Sequence, residues 1–284
     1  MEYIVKYPED GPKRIFYELK SEGYQIGETG IYNVLKRNQL TTKKQRQEYS
    51  RKNQIFKKYE PKDRDTREAF YEAVNSPAQI VVQKLDYIGK FETIGKIYQY
   101  TVLDLYSKWA AVKLYNQKRE IDVWDYFEVK LVYLMKTFDI QIERLLTIKD
   151  KEFISYFIGG ERYQDITKQF QFTHQYISAD HRASESIDQF VANCTESFYN
   201  KISTTANMDS FAKVERAFQK FIRDYNFIEP IQEGANVGKV PAMIVLEKAK
   251  ENQVDLDTLP LWMLALIHPI IKKEDSHEEE HKDQ

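Results

Sequence analysis

A block of basic side chains near the start of the chain is the first feature able to do chemistry. Between Lys36 and Lys58 the sequence has nine basic residues against the single acid Glu48, a local charge of +8. Side chains of this type neutralise phosphate groups, so the block indicates a nucleic-acid contact, although a solvated linker helix would carry the same charges. The candidate DNA contacts are Lys36, Arg37, Lys43, Lys44 and Arg46.

The remaining composition excludes several classes of site. Cys194 is the one cysteine, which rules out a disulfide scaffold and a four-cysteine metal site, and it favours a reducing, cytosolic compartment. No run of about 18 apolar residues and no signal peptide are present, so we expect no membrane contact. The acidic stretch Glu274–Gln284 carries a local charge of −5, and its His277 and His281 are spaced to bind a stray metal ion.

The elements that must position these residues begin with a helical segment. Apolar residues at helical spacing predict two short helices separated by Gly23, a pattern typical of a helix-turn-helix over residues 1–40. Residues 41–77 are rich in charged side chains and poor in aliphatic ones, so we expect them to form a basic linker. The two apolar faces are formed by Ile15, Phe16 and Leu19 and by Ile31, Val34 and Leu35.

The centre of the chain predicts a mixed α/β domain over residues 78–202. Short β-branched runs and longer segments of helical periodicity follow one another in the order strand, strand, strand, helix, strand, helix, strand, helix. We expect a C-terminal helical extension over 203–271 and an acidic tail over 272–284. The predicted strands are Ile80–Ile88, Ile97–Val102, Ala110–Tyr115, Ile140–Ile148 and Phe172–Ile177, and the predicted helices are Asp122–Phe138, Tyr163–Phe170, Ser184–Ile202, Met208–Phe227 and Leu259–Ile271.

Several local strings occur in a recognisable order. They are Gly11-Pro12-Lys13-Arg14-Ile15, Gln83-Lys84-Leu85-Asp86, Asp104-Leu105-Tyr106-Ser107-Lys108, Tyr225-Asn226 with Pro230, and the stretch Gly238–Pro241. With them, over about residues 10 to 245, the chain resembles the DDE transposases of bacterial insertion sequences, whose core is similar to that of retroviral integrase. Only ten residues precede Gly11, so we expect the first helix of the DNA-binding segment to be incomplete.

The resemblance implies a fold, a chemistry and partners. The fold would be ribonuclease H-like, a mixed five-stranded sheet flanked by helices and preceded by the helix-turn-helix and its linker. The chemistry would be DNA strand transfer with Mg²⁺ (or Mn²⁺), which in two-metal sites are about 3.5–4 Å apart. The partners would be double-stranded DNA at the ends of the insertion sequence and further copies of the chain. The location would be the bacterial cytoplasm, at the nucleoid.

The resemblance matches the first catalytic acid to Asp86 but not the second. The family sequence at the fourth strand is Thr-Asp-Asn-Gly, any residue, Glu-Phe, and here the corresponding residues run from Thr147 to Phe153. The catalytic Asp falls on Ile148, which cannot bind a metal ion. Asp150 would substitute only if the strand ended two residues later.

The third acid is shifted as well. Counting back from Phe198-Tyr199 matches the family's Glu to Asp188, a shorter carboxylate, and Glu185 lies one helical turn earlier on the same face. The implied metal ligands are thus Asp86 and Asp188. Three hypotheses follow: a transposase-type protein that has lost strand transfer, an active enzyme using Asp86, Asp150 and either Glu185 or Asp188, and a non-catalytic DNA-binding regulator.

Overall fold

A five-stranded sheet forms the centre of the computed structural model, which describes residues 1–21, 23–53, 74–158, 161–202 and 208–258. Its strands are β1 (Ile80–Phe91), β2 (Gly95–Asp104), β3 (Ala110–Tyr115), β4 (Arg144–Ile148) and β5 (Thr173–Ile177). The strand order is β3-β2-β1-β4-β5. β1, β2 and β3 pair antiparallel, whereas β4 is parallel to both β1 and β5. The predicted ribonuclease H-like sheet is confirmed, and β1 is its central strand.

Alternating side chains on the strands supply two apolar layers. Val81 and Leu85 of β1 point into one buried cluster, and Val82 points into the other. A strand with apolar residues on both faces is expected at the centre of a sheet that is covered by helices on both sides. The β-branched residues at the start of β1 therefore suit this strand to the central position of the sheet.

Helices cover both faces of this sheet. They are α5 (Val123–Phe127, continued by the π-helical turn Glu128–Val132 and by Tyr133–Thr137), α6 (Glu161–Phe170), α7 (Arg182–Ser197), α8 (Phe211–Phe227) and α9 (Pro241–Glu251). The face that holds Leu85 packs against α5, α6 and α9, and the opposite face packs against α7 and α8. The side of the sheet that faces α7 also carries the candidate acids.

Two of the strings that carry the resemblance have structural roles. The buried Asp104 accepts hydrogen bonds from the backbone N–H groups of Ala78 and Ser107, at 2.9 and 2.8 Å, and so fixes the turn after β2. The buried Asn226 of α8 donates to the carbonyl oxygen of Ala110 and accepts from its N–H, at 2.8 and 3.0 Å. This amide clamp ties α8 to the edge strand β3.

Four helices form a unit at the N-terminus. They are α1 (Glu2–Lys6), α2 (Pro12–Ser21), α3 (Glu28–Arg37) and α4 (Lys43–Asn53). Their shared core contains Ile4, Ile15, Ile31, Leu35 and Leu40. The helix α4 packs against this core through Tyr49, and its Ser50 hydroxyl donates to the carbonyl oxygen of Val5 at 2.6 Å. The first part of the predicted linker thus packs as a helix against α1, and residues 54–73 lie outside the described residues.

The N-terminal unit contacts the core just after β4. The Nζ atom of Lys151 lies 3.1 Å from a carboxylate oxygen of Asp10 and 3.8 Å from the centre of the Tyr7 ring. Lys149 pairs with Glu18 at 3.6 Å. Both lysines flank Asp150, so the loop that follows β4 is held between the sheet and the helical unit.

Several boundaries depart from the sequence predictions. The predicted strand Ile140–Ile148 begins only at Arg144, because the pairing of β4 with β1 starts at the register Ile80–Arg144. The helix α9 was not predicted, and the predicted helix Leu259–Ile271 and acidic tail lie outside the described residues. None of the helices in the described ranges has the length and apolar character that crossing a bilayer requires.

Candidate functional site

Asp86 lies on β1 beyond the end of its pairing with β4. In register, β4 accompanies β1 only as far as the pair Gln83–Thr147, whereas Asp86 is opposite Gln99 of β2. Its side chain is 18% exposed. Burial raises the pKa of the Asp86 carboxyl, and the negative charges of Asp188 and Asp150 add to this effect, while Lys84 opposes it. The charged form of this carboxyl group is therefore disfavoured unless a cation lies close by.

Lys84 provides that cation. It precedes Asp86 by two residues on β1, so both side chains lie on the same face of the sheet. Its Nζ atom is 2.7 Å from Oδ1 of Asp86 and 2.6 Å from Oδ1 of Asp188. Burial alone would lower the pKa of Lys84, but the two carboxylates outweigh it, and the pKa is raised. We call Lys84, Asp86 and Asp188 the carboxylate site.

The helix α7 brings Asp188 to the sheet. The helix begins at Arg182, where His181 caps it by accepting a hydrogen bond from the N–H of Ala183, and Ile187 packs into the sheet. The side chain of Asp188 is 46% exposed and reaches inward to Lys84. Glu185, one turn earlier, is exposed to solvent. Of the two candidates for the third acid, Asp188 is the one that the fold joins to Asp86 through a shared cation.

Ile148 is the last residue of β4 and contributes no polar atom to the site. Its side chain is 3% exposed and packs in the same apolar cluster as Val82 and Ile187. It pairs in register with Ile177 of β5. The position that the resemblance assigns to the second acid is thus part of the core.

Asp150 follows two residues after the end of β4. Its Oδ1 accepts a hydrogen bond from the N–H of Glu152 at 2.6 Å, and its carbonyl oxygen accepts from Phe153 and Ile154. The carboxylate therefore stabilises the turn into the next short helix. It still contributes negative charge near Asp86, since it raises the pKa of that residue.

A buried polar network extends beside Asp86 from β2. Gln99 donates to the hydroxyl of Thr101 at 2.8 Å and accepts from the Tyr199 hydroxyl at 2.5 Å. All three residues are buried. Neither this network nor the role of Lys84 is predicted from the sequence. The strand spacing of Lys84 and Asp86 was the available signal, because residues two apart on a strand share a face.

The residues present do not fit the Mg²⁺ that the resemblance implies. In the described part of the chain, no three Asp, Glu, His or Cys side chains converge in a way that could hold a metal ion. Mg²⁺ requires near-octahedral oxygen ligands. Here one oxygen of Asp86 and one of Asp188 are bound by an ammonium group. The buried Oδ2 of Asp86 has no hydrogen-bond partner among the described residues, so it is the one open oxygen of Asp86, which is too few for an octahedral ion.

The predicted DNA contacts divide into exposed and internal residues. Lys36 and Arg37 are exposed in the last turn of α3, and Lys44 is exposed on α4. Lys43 pairs with Glu9 at 3.0 Å. Lys57 and Lys58, at the end of the basic block, lie outside the described residues.

The prediction that Arg46 contacts DNA is wrong. The residue is 4% exposed, and its guanidinium group donates to the carbonyl oxygens of Pro8, Leu40 and Thr41, at 3.2, 3.0 and 2.8 Å. Burial lowers its pKa, although Asp10 opposes this effect. A planar guanidinium with several donors suits this bridging of three carbonyls, and it leaves Arg46 unable to reach a phosphate.

The chain is similar to several solved structures, all at low sequence identity. The catalytic core of HTLV-2 integrase, in complex with magnesium in a dimeric form, is 11% identical and covers 60% of this chain and 97% of its own, with a TM-score of 0.44. The catalytic core of BIV integrase is 10% identical and covers 62% and 99%, with a TM-score of 0.42. A simian T-cell lymphotropic virus intasome, in complex with a PP2A regulatory subunit, is 9% identical and covers 60% and 55%, with a TM-score of 0.43.

No protein-family model and no curated protein matches the chain. The assignment to the ribonuclease H-like fold stands on the order and direction of the five strands.

Proposed function

We propose that this chain is a DNA-binding protein of the transposase or integrase type whose core does not perform strand transfer. The observation that carries the proposal is the burial of Ile148 at the end of β4, 3% exposed within an apolar cluster. Two-metal chemistry needs carboxylates that converge on the ions, and an isoleucine supplies neither charge nor ligand. Asp150 does not replace it, because its carboxylate is engaged by the N–H of Glu152.

The DNA-binding part of the proposal rests on the exposed basic residues of the N-terminal unit. Lys36, Arg37 and Lys44 are free to meet phosphate oxygens, and they lie on two helices that share one core. Contacts of this kind give affinity without sequence specificity. The proposed partner is double-stranded DNA, at the ends of a mobile element, bound by more than one copy of the chain. The proposed location is the bacterial cytoplasm, at the nucleoid.

A strand-transfer assay tests the catalytic part. The full chain is incubated with pre-cleaved DNA ends and Mg²⁺ or Mn²⁺, beside calorimetric titration with each ion. We expect no joined product and no saturable metal binding. Because the ammonium group of Lys84 occupies one oxygen each of Asp86 and Asp188, the missing carboxylate is restored in the variant Lys84→Met/Ile148→Asp, and tighter metal binding by that variant than by Lys84→Met would support the role given to Ile148.

The hypothesis of an active enzyme with a rearranged carboxylate set has one supporting observation. Burial raises the pKa of Asp86, and the negative charges of Asp188 and Asp150 add to this effect. Metal-dependent joining by the wild type, abolished by Asp150→Asn, would favour that function. DNA binding without a preference for the terminal repeats of an element would instead favour a general regulator.

A further inference from the structure

The carboxylate site brings two acids together at a partly buried position. Asp86 and Asp188 converge from β1 and α7, with one oxygen of each at 2.7 and 2.6 Å from the Nζ atom of Lys84. Like charges brought together in a low-dielectric environment repel one another, and each loses hydration. A cation between the two carboxylates reduces this repulsion and favours the observed packing of the helix on the strand.

That cation is part of the chain. The ammonium group of Lys84 bonds to one oxygen of each acid, at 2.7 and 2.6 Å, and its side chain is 18% exposed. An ammonium carries three donors and no acceptor. Two of these donors point at oxygens that a metal ion would use, and a divalent cation bound to the same oxygens would lie close to the ammonium charge, which repels it.

We propose that Lys84 is an internal cation that replaces the metal ion of this fold, since it pairs Asp86 with Asp188 and excludes divalent cations from the site. The inference rests on the proposed absence of strand transfer and gives it a second physical cause. Ile148 stands where the second metal-binding carboxylate would be, and the ammonium group of Lys84 supplies the positive charge that a metal ion would otherwise provide. The protein would then retain a packed, charge-balanced core in the absence of any metal.

The chain offers a matched control in a second lysine. Lys113 of β3 forms an ion pair with Glu215 of α8 at 2.5 Å, so it also joins a strand to a helix. It pairs with one acid, whereas Lys84 pairs with two. Replacing Lys113 should therefore weaken a strand–helix contact without leaving two carboxylates to face each other.

The experiment follows thermal unfolding of the full chain with and without millimolar Mn²⁺, at constant ionic strength. The proteins are the wild type, Lys84→Met, Lys113→Met and Lys84→Met/Asp86→Asn. We expect Mn²⁺ to raise the unfolding midpoint of Lys84→Met by about 4 °C or more, because the ion binds only the folded state. The midpoints of the wild type and Lys113→Met should not move, and Asp86→Asn should remove the response.

An equal response to Mn²⁺ in the wild type and in Lys84→Met, or no response in either, would overturn the proposal. If Lys84→Met does not fold, the double variant decides: recovery of the fold by Asp86→Asn supports the charge balance, and failure to recover overturns it. The strand-transfer assay of the wild type remains separate. Joining there contradicts the proposed function, whereas no joining combined with a Lys84→Met variant that ignores Mn²⁺ overturns only the role of Lys84.

Discussion

The guanidinium group of Arg46 donates to the carbonyl oxygen of Leu40 at 3.0 Å, in a position that is 4% exposed to solvent. The same group also donates to Pro8 and Thr41, and so links α4 to the two segments that precede it. A residue within a dense basic block thus stabilises the N-terminal unit from inside.

Replacing Arg46 should therefore affect stability. Arg46→Met keeps much of the apolar stem but leaves three carbonyl oxygens without their charged donor, at a cost of about 2–4 kcal/mol in the free energy of unfolding. Lys44→Met, two residues earlier and exposed, should change it by less than about 0.5 kcal/mol. Urea denaturation of both variants measures the difference, and equal stability would contradict the internal role of Arg46.

DNA binding should depend on the exposed basic residues instead. The triple variant Lys36→Ala/Arg37→Ala/Lys44→Ala should flatten the slope of log affinity against log salt by up to roughly 3 units, since each phosphate neutralised contributes about −0.9. Fluorescence anisotropy with a labelled duplex over a range of salt concentrations provides the slope.

The control for this measurement lies on α8. Lys213 and Lys220 are exposed there, far along the chain from the basic block. Their joint replacement by Ala should leave the slope unchanged. If the N-terminal triple variant binds with the wild-type slope, the basic block is only a solvated surface.

Most of the strands could be predicted from the sequence, because β-branched runs indicate buried strands. The bounds of β3 agree with the prediction at both ends, and β1 and β2 extend by a few residues. The helix α9 was missed although Pro241 at its first position and the apolar spacing of Ala242, Val245 and Ala249 were available signals.

The candidate site was harder to predict because its contacts join distant parts of the chain. Lys84 meets Asp188, which lies 104 residues later, and local patterns contain no information on that pairing. Arg46 was assigned to DNA for a related reason. Charge alone does not tell which basic side chains of a helix point inward. The absence of an acid at Ile148, in contrast, was visible in the sequence.

The amide clamp of Asn226 should be important for stability. Asn226→Ala removes both hydrogen bonds to the backbone of Ala110 and leaves buried polar groups unpaired, which should lower the free energy of unfolding by about 2–3 kcal/mol. Asn252→Ala, which removes one exposed hydrogen bond to Asp139, should cost about 0.5–1 kcal/mol. Similar losses in the two variants would contradict the clamp.

Stability should also fall on mild acidification because of His174. Burial lowers the pKa of its imidazole from 6.5 to about 4, and its ring lies 2.7 Å from the Thr147 hydroxyl. The folded state therefore binds this proton less readily than the unfolded state does. Its stabilising contribution is complete above pH 6.5 and is lost as the pH falls towards 4, by up to about 3 kcal/mol.

The variant His174→Gln isolates this effect. Glutamine keeps the capacity to hydrogen-bond with Thr147 but does not titrate. Urea denaturation of both proteins at several values between pH 7 and pH 4 should show a smaller loss of stability in the variant. Parallel curves would mean that other groups control the acid sensitivity.

The most direct test of the account is strand transfer by the unaltered chain. The assay presents pre-cleaved DNA ends and a target duplex with Mg²⁺ or Mn²⁺, and scores joined product over time. With Ile148 buried in the core and Lys84 bound to Asp86 and Asp188, we predict DNA binding and no joined product with either ion. Metal-dependent joining by the wild type that Asp150→Asn abolishes would contradict this account.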